Sequence, residues 1–446
     1  MKPDHPAVTK PTGDKVARLF AMLMGGFLGL TLLKFGNPVV LEKLVLWPAN
    51  GWEWVFSPWP VSIAMGMLGL ISVPGIISVR WRLDVPRWLV ALPMVWLVWQ
   101  FVSATQTVDA ELTRATLRHF VVCVVCFFLG LLSLGRTRNT QPFLLGLVGG
   151  WLVVIAVGWQ QHFGGLEETR KYFFTYTYPT MQTVPAEYLK KIKSDRIFST
   201  LFYPNALAGV LLLLSPAAGV VIWQRLSRLT MGARGVLVGL LGFAALGCLF
   251  WSGSKGGLLL ALMLGLIALL RLPFRRQWKL ALVAGVLMIG LSAFAVRFAG
   301  YFQKGATSVS ARMDYWQAAA RTTASHPIFG TGPGTFAIPY KQLKRPESEM
   351  SRLVHNDYLE QASDSGVVGF LAYAGFVAGG LWVSYRKIAP QADGLKFAVW
   401  LGLLGWSLQG LMEFGLYIPA LAWTAFSLMG WLLASANQFD NGRTNR

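Results

Sequence analysis

The sequence predicts an all-α polytopic membrane protein of about twelve transmembrane helices, with a long external loop between the ninth and tenth. Three observations predict it. Apolar runs long enough to cross about 30 Å of hydrocarbon as a helix recur along the whole chain. The composition is 54% hydrophobic and only 13% charged, with a mean hydropathy of +0.50, far from that of soluble globular chains. The Lys and Arg residues of the short connections gather in alternate loops, as a multi-pass topology requires.

The spans are expected near 18–35, 61–79, 88–105, 117–135, 142–160, 200–224, 232–251, 254–271, 278–296, 365–384, 395–413 and 417–436. The first run follows a polar, Lys-bearing arm without a small-residue cleavage site and is expected to stay as an anchor. One set of loops carries Lys2, Lys10, Lys15 and Arg18, then Arg80, Arg82 and Arg87, then Arg136 and Arg138. The set continues with Arg225, Arg228 and Arg234, with Arg271, Arg275, Arg276 and Lys279, with Arg386, Lys387 and Lys396, and with Arg443 and Arg446. The intervening loops are neutral or mixed, such as Glu42, Lys43 and Glu53, or Asp109, Glu111 and Arg114. Positive charge on one side places both termini in the cytoplasm. The nineteen Trp and 47 Gly fit the same class, because Trp favours bilayer interfaces and Gly is common in membrane helices.

The chain reads as a single integral-membrane domain over 1–446. Two long intervals, 161–199 and 297–364, fall on the external side, and long loops in compact membrane proteins are commonly functional. In the second, Ser308–Ala324 has Met313, Trp316 and Ala320 at helical spacing and predicts a short surface helix. Gly330-Thr331-Gly332-Pro333-Gly334-Thr335 predicts a tight turn. It lacks the preceding strand and the Gly-Lys-Ser/Thr ending of a P-loop, so it is a weak nucleotide signal that leaves open a turn lining an anionic headgroup site.

Composition also excludes function classes. The formal charge of +20 does not signal nucleic-acid binding, because the cations are dispersed over short loops. Cys123, Cys126 and Cys248 all lie in apolar runs; the Cys123-x-x-Cys126 spacing has no second pair and reads as packing. No disulfide framework, metal-ligand cluster or cofactor motif is present in the pattern.

The stretch with the most chemical potential is Arg352–Glu360, just before the tenth span. Asp357 with Glu360 three residues on reads as a capping box, which sets His355 just outside a helix N-terminus. An imidazole at the membrane rim suits a general base worth about 10²–10⁴-fold in rate; the alternative is a loop histidine that caps the helix. Arg196, ahead of Tyr203-Pro204-Asn205, Lys255 in Ser252-Gly253-Ser254-Lys255-Gly256-Gly257, and Arg312 in the long loop all fall on the external side. Convergent cations there suit a phosphate or diphosphate group, against the alternative of snorkelling to lipid headgroups. Glu413, near the external end of the eleventh span, is either functional or a partner for one of those cations. His119 and His162 read as interfacial and His326, before Pro327, as structural.

These pieces, in this order, resemble the O-antigen ligase and polymerase superfamily of bacterial inner-membrane glycosyltransferases. Arg196 through Asn205-Ala206-Leu207-Ala208 is similar to the family's Pro-Asn segment, and Ser252–Gly257 to its Ser-Arg-Gly turn. Arg312–Trp316 and Pro327–Phe336 resemble the lead-in to its catalytic loop, and His355-Asn356-Asp357-Tyr358-Leu359 its His-Asn-x-Tyr-Leu hallmark. Glu413 and Pro419 echo the helix pair that follows. The resemblance covers the second half of the chain; the first five spans match in hydropathy alone. Lys255 stands where the family usually has Arg, which replaces a bidentate donor by a point charge.

The resemblance implies metal-independent, inverting transfer of a glycan from an undecaprenyl-pyrophosphate donor at the periplasmic face, with 297–364 as the catalytic loop. His355 would be the general base, and Arg196, Arg312 and Lys255 would hold the pyrophosphate. Asn356, Tyr203, Asn205 and Glu413 would support them, with no cofactor. The lipid A–core is the first acceptor implied, a growing glycan the second and a protein hydroxyl the third. From another class, a flippase of lipid-linked sugars remains the alternative. Against it, few charges sit at mid-membrane and no inverted repeat stands out.

Overall fold

Each of the twelve apolar intervals lies on a helix in the computed structural model, which describes residues 11–79, 85–137, 139–178, 189, 192–303, 307–388 and 393–435. Lys2, Lys10, Arg80, Arg82, Arg138, Arg443 and Arg446 of the basic loops lie outside the described residues. In chain order the α-helices are α1 (Pro11–Lys34), α2 (Gly51–Phe56), α3 (Val61–Ile77), α4 (Arg87–Ala104), α5 (Ala110–Leu132), α6 (Gln141–Gln160), α7 (Leu166–Tyr172) and α8 (Pro204–Arg225). There follow α9 (Met231–Trp251), α10 (Lys255–Leu270), α11 (Arg276–Gln303), α12 (Thr307–Ser325), α13 (Ala337–Leu343), α14 (Asp357–Lys387), α15 (Gly394–Gln409) and α16 (Pro419–Ser435). No strand occurs among the described residues.

Among the described residues eight helices are long and apolar enough to cross a membrane, which supports a multi-pass membrane protein. They are α1, α4, α5, α6, α8, α9, α11 and α14. The other four expected spans are shorter: α3, α10 and α16 have 17, 16 and 17 residues, and α15 has 16. Asp and Ser oxygens set several starts. Asp109 caps α5 by accepting from the Glu111 and Leu112 amides, and Ser254 caps α10 by accepting from Gly257.

Small residues let the central helices approach closely, as they must where lipid offers no hydrophobic drive between helices. A Cβ on Gly146 of α6 would lie 2.2 Å from the Gly25 carbonyl carbon of α1, and one on Gly130 of α5 would lie 2.3 Å from the Ser427 oxygen of α16. Cys123, Cys126 and Cys248 are buried free thiols inside this packing.

Helix boundaries move the expected loops. The interval 161–199 begins as a helical continuation of α6 that runs through α7. Helix α11 reaches Gln303 and α14 starts at Asp357, so helix occupies both edges of 297–364. The surface helix is present as α12, but its buried face is Tyr315, Ala318, Ala319 and Thr322; Met313 and Ala320 face outward. The two stripes lie about 140° apart around the helix, and both have helical spacing, so spacing alone does not choose between them.

The glycine run proves to be a packing device. Thr331 and Gly332 amides donate to the Ser363 and Asp364 carbonyls at 3.1 and 2.9 Å, and the Gly334 amide donates to the Asp364 carboxylate at 2.6 Å. These amides are spent on α14, so they form no anion cradle. Helix α14 breaks at Ser365–Gly366, where Gly366 has φ +67° and a Cβ would sit 2.0 Å from the Ile328 oxygen. The break seats the loop and aims the first turn of α14, with His355 just ahead of it.

Candidate active site

His355 sits one residue before the cap of α14. The cap is Asn356 in place of the expected Asp357: its side chain accepts from the Tyr358 and Leu359 amides, both at 3.0 Å. Asp357 is buried and turned to the other side, where it accepts from the Leu416 amide at 3.0 and 3.1 Å. Glu360 reaches past the cap to the Val354 amide at 2.5 Å. Chain entering this junction must bend sharply, and His355 takes a left-handed φ of +56°, a conformation that costs a residue with a Cβ about 1–3 kcal/mol. Such strain is held only where surrounding structure over-determines it.

The imidazole is fixed on three sides. It stacks on Tyr315 at 5.7 Å and meets Phe414 edge-on at 4.7 Å. Its Nδ1 lies 3.1 Å from Glu413 Oε2. Helix α15 ends at Gln409, earlier than hydropathy implies, so Glu413 belongs to the loop that joins α15 to α16.

Glu413 is the hub. Its Oε1 accepts from the Arg312 guanidinium and from Asn205 Nδ2 at 2.6 Å, while its Oε2 takes His355. Asn205 then accepts from Arg196 Nη2 at 2.8 Å. Arg196 is also tied to the Ser252 carbonyl at 2.6 Å, and Arg312 to the Met412 carbonyl at 3.0 Å. Gly253, with φ +61°, leaves room for the Arg196 stem, since a Cβ there would lie 3.1 Å from its Nε. Each guanidinium has five N–H donors, and the bonds described among the described residues use two on Arg196 and three on Arg312.

Burial alone would push the Glu413 carboxyl up. The hydrogen bond and charge of His355, then those of Arg312, outweigh it and hold the carboxyl below its ordinary value of 4.5. An ionised carboxylate accepts, so the bond assigns a proton to His355 Nδ1, and whenever the ring is neutral Nε2 carries the lone pair. Burial likewise pulls the Arg196 guanidinium down; Glu413 and Tyr203 oppose that, and Arg312 adds to it. Two like charges are thus held close around a single carboxylate.

Linkage follows with a definite sign. A carboxyl lowered by folding contributes stability that is fully present above about pH 4.5 and is lost as pH falls through its lower folded value. Thermal unfolding in detergent is expected to show an acid-side loss in the wild type that Glu413→Gln, which does not titrate, shows less steeply. Parallel curves for the two proteins would remove this linkage.

The structure therefore brings five of the sequence-predicted residues into one bonded network, Arg196, Asn205, Arg312, His355 and Glu413. Lys255 stands beside it, joined by field only: its Nζ lies over the Tyr301 ring at 3.9 Å, within electrostatic reach of Arg196, Arg312 and Arg297. Tyr203 packs edge-on against Phe414 at 5.4 Å and so supports the wall behind His355. Asn356 is occupied as the cap. The starts of α8, α10 and α14 are tied together through Arg196, Asn205 and the Glu413–His355 pair, and their helix dipoles add positive potential there.

His119 departs from an interfacial reading, whereas the exposed His162 does not. His119 is fully buried, bonded to the Leu416 carbonyl at 2.7 Å and accepting from Trp423 at 3.0 Å, so it anchors the Glu413 loop from beneath. His162 stacks on Trp251 at 3.8 Å. Arg297 is the residue that sequence reading passed over; a lone cation near the end of an apolar run was its only signal. Among the described residues no group of three or more His, Cys, Asp or Glu is gathered as for a metal.

Residues 240–374 match a family model described as O-antigen ligase. The match contains Lys255, Arg297, Arg312, His355 and Asn356; Arg196, Tyr203 and Asn205 precede it and Glu413 follows it. The chain is also 30% identical over 144 residues to an uncharacterized protein of Haemophilus influenzae, covering 27% of this chain and 36% of that protein. It thus spans about a third of the curated relative it matches.

Proposed function

We propose, from the premise that residues 240–374 form an O-antigen ligase family domain, that this multi-pass protein transfers a glycan from undecaprenyl pyrophosphate to an acceptor hydroxyl. The reaction takes place at the periplasmic face of the bacterial inner membrane, with both termini in the cytoplasm, and the lipid A–core is the first-choice acceptor. One observation carries the reading: Glu413 joins His355 to Arg312 directly and to Arg196 through Asn205, and both guanidinia keep N–H donors beyond their bonds among the described residues.

In this mechanism His355 Nε2 takes the proton of the acceptor hydroxyl as its oxygen bonds to the anomeric carbon. The bond from that carbon to the diphosphate oxygen breaks, and the diphosphate leaves with the bonding pair. Attack opposite the leaving group inverts the centre. Arg312 and Arg196 face the charge that develops on the diphosphate, and donors already fixed by Met412, Ser252 and Asn205 need little reorganisation to do so. Glu413 holds the ring and stabilises the imidazolium as it forms. Cations fill the charge-neutralising role, which supports metal-independent transfer. Polymerisation of repeat units and transfer to a protein hydroxyl use the same chemistry and differ only in acceptor. The gathering of polar groups at one end of the bundle favours transfer over a flippase, whose site would lie nearer mid-membrane.

The test is glycan transfer in proteoliposomes from an undecaprenyl-pyrophosphate oligosaccharide, in EDTA, to lipid A–core, to glycan and to protein acceptors. Labelled lipid A–core is the expected product. Label on glycan or protein alone would reassign the acceptor. Movement of donor across the bilayer without any labelled acceptor would replace transfer by transport.

A further inference from the structure

Arg297 and Lys255 hold their charges in an unusual way. Arg297 lies in α11, a helix of 28 residues, about 42 Å long at 1.5 Å per residue, in which only Phe298 is buried. It is about 32 Å along the axis from Arg276, at the limit of the hydrocarbon thickness. An arginine that merely snorkels would extend along its own helix toward headgroups. Arg297 instead crosses to α9, with its guanidinium 5.0 Å from the Phe250 ring and 5.6 Å from that of Phe298. Lys255, at the start of α10, lies over Tyr301 and Phe298 of α11 at 3.9 and 5.1 Å. Two cations are thus parked on one cluster of rings.

The arrangement is short of negative charge. Arg196, Arg312 and Arg297 all act on Lys255, and the carboxylate among them, Glu413, is already shared by Arg312, Asn205 and His355. A cation is held more weakly by an aromatic face than by charge-assisted bonds to a doubly charged phosphate group. The ring cluster is also wired to the site. Tyr301 hydroxyl bonds Ser308 Oγ at 2.6 Å, and the Ser308 carbonyl accepts from Arg312 at 3.4 Å. Helices α9 and α11 leave most of their apolar surface exposed, and Arg297 is exposed where Arg312 is only partly so.

We propose that Arg297 and Lys255 form an access site for the diphosphate headgroup of a lipid arriving from the bilayer beside α9 and α11. The rings of Phe250, Phe298 and Tyr301 hold the two cations until the diphosphate takes them over, and the headgroup then passes inward to Arg312 and Arg196. This rests on the glycan-transfer reading for the identity of the lipid.

The experiment uses the full chain in nanodiscs and measures association of undecaprenyl pyrophosphate and, separately, of inorganic pyrophosphate supplied from water. Wild type, Arg297→Ala, Arg297→Lys and Arg312→Ala are compared, with thermal unfolding as a control for folding. Arg297→Ala is expected to slow association of the lipid about tenfold, Arg297→Lys to restore most of it, and inorganic pyrophosphate to bind both variants like wild type. Wild-type lipid association in Arg297→Ala, with binding lost in Arg312→Ala, would overturn the access site and leave the transfer reading standing. Equal loss for lipid and inorganic pyrophosphate would make Arg297 part of the inner site and overturn access. Undiminished binding of both probes in Arg312→Ala would overturn the transfer reading itself.

Discussion

His355→Ala is expected to lower glycan transfer by about 10²–10⁴-fold while donor binding stays close to wild type. The asymmetry follows from geometry. The ring contacts Tyr315, Phe414 and Glu413, whereas the cations that would hold the diphosphate are fixed through Ser252, Met412 and Asn205. Removing the ring leaves those anchors in place. Helix α14 also keeps its cap, because Asn356 supplies it. Single-turnover transfer beside equilibrium donor binding separates the two effects. Loss of both together would make His355 a binding residue, and full turnover would remove it from the chemistry.

Arg312→Ala is expected to cost turnover about 10²–10³-fold and to weaken donor binding as well. Arg312 is the cation bonded directly to the hub carboxylate, and its planar fork is held by Met412 and Glu413 together. Truncation also leaves Glu413 buried with one fewer cation, a change that destabilises such pairs by about 3–5 kcal/mol. Arg312→Lys should recover folding more fully than activity, because one ammonium cannot reproduce two directed bonds and still face a diphosphate. A thermal shift without kinetic loss in Arg312→Ala would limit Arg312 to holding the loop. Kinetic loss with wild-type stability in Arg312→Lys would separate its two roles.

The departures from the sequence reading have specific causes. Hydropathy carried the eleventh span to residue 413, because Leu411, Met412 and Phe414 surround Glu413; the chain in fact leaves the helix at Gln409 and folds the loop back onto Asp357 and His119. Asp357 and Glu360 have the spacing of a capping box, yet both are claimed by groups elsewhere in the fold, and Asn356 caps instead. The glycine run invites a phosphate reading, but its amides are spent on α14. In each case a local pattern had two physical uses, and a partner distant in sequence selected one.

By itself the sequence determined the helical membrane class, the positions of the helices and the short roster of polar residues worth watching. Hydrocarbon length and the cost of unpaired charge act residue by residue along the chain, so they are legible without a fold. It also determined His355 as a residue at the mouth of a helix. Only the tertiary structure decided that Glu413 joins Arg312, Asn205 and His355, that Arg196 enters through Asn205, and that Arg297 stands beside Lys255. These contacts link residues up to 208 positions apart. Their energies depend on distance and burial, which arise only when the ends of α8, α10 and α14 are packed together.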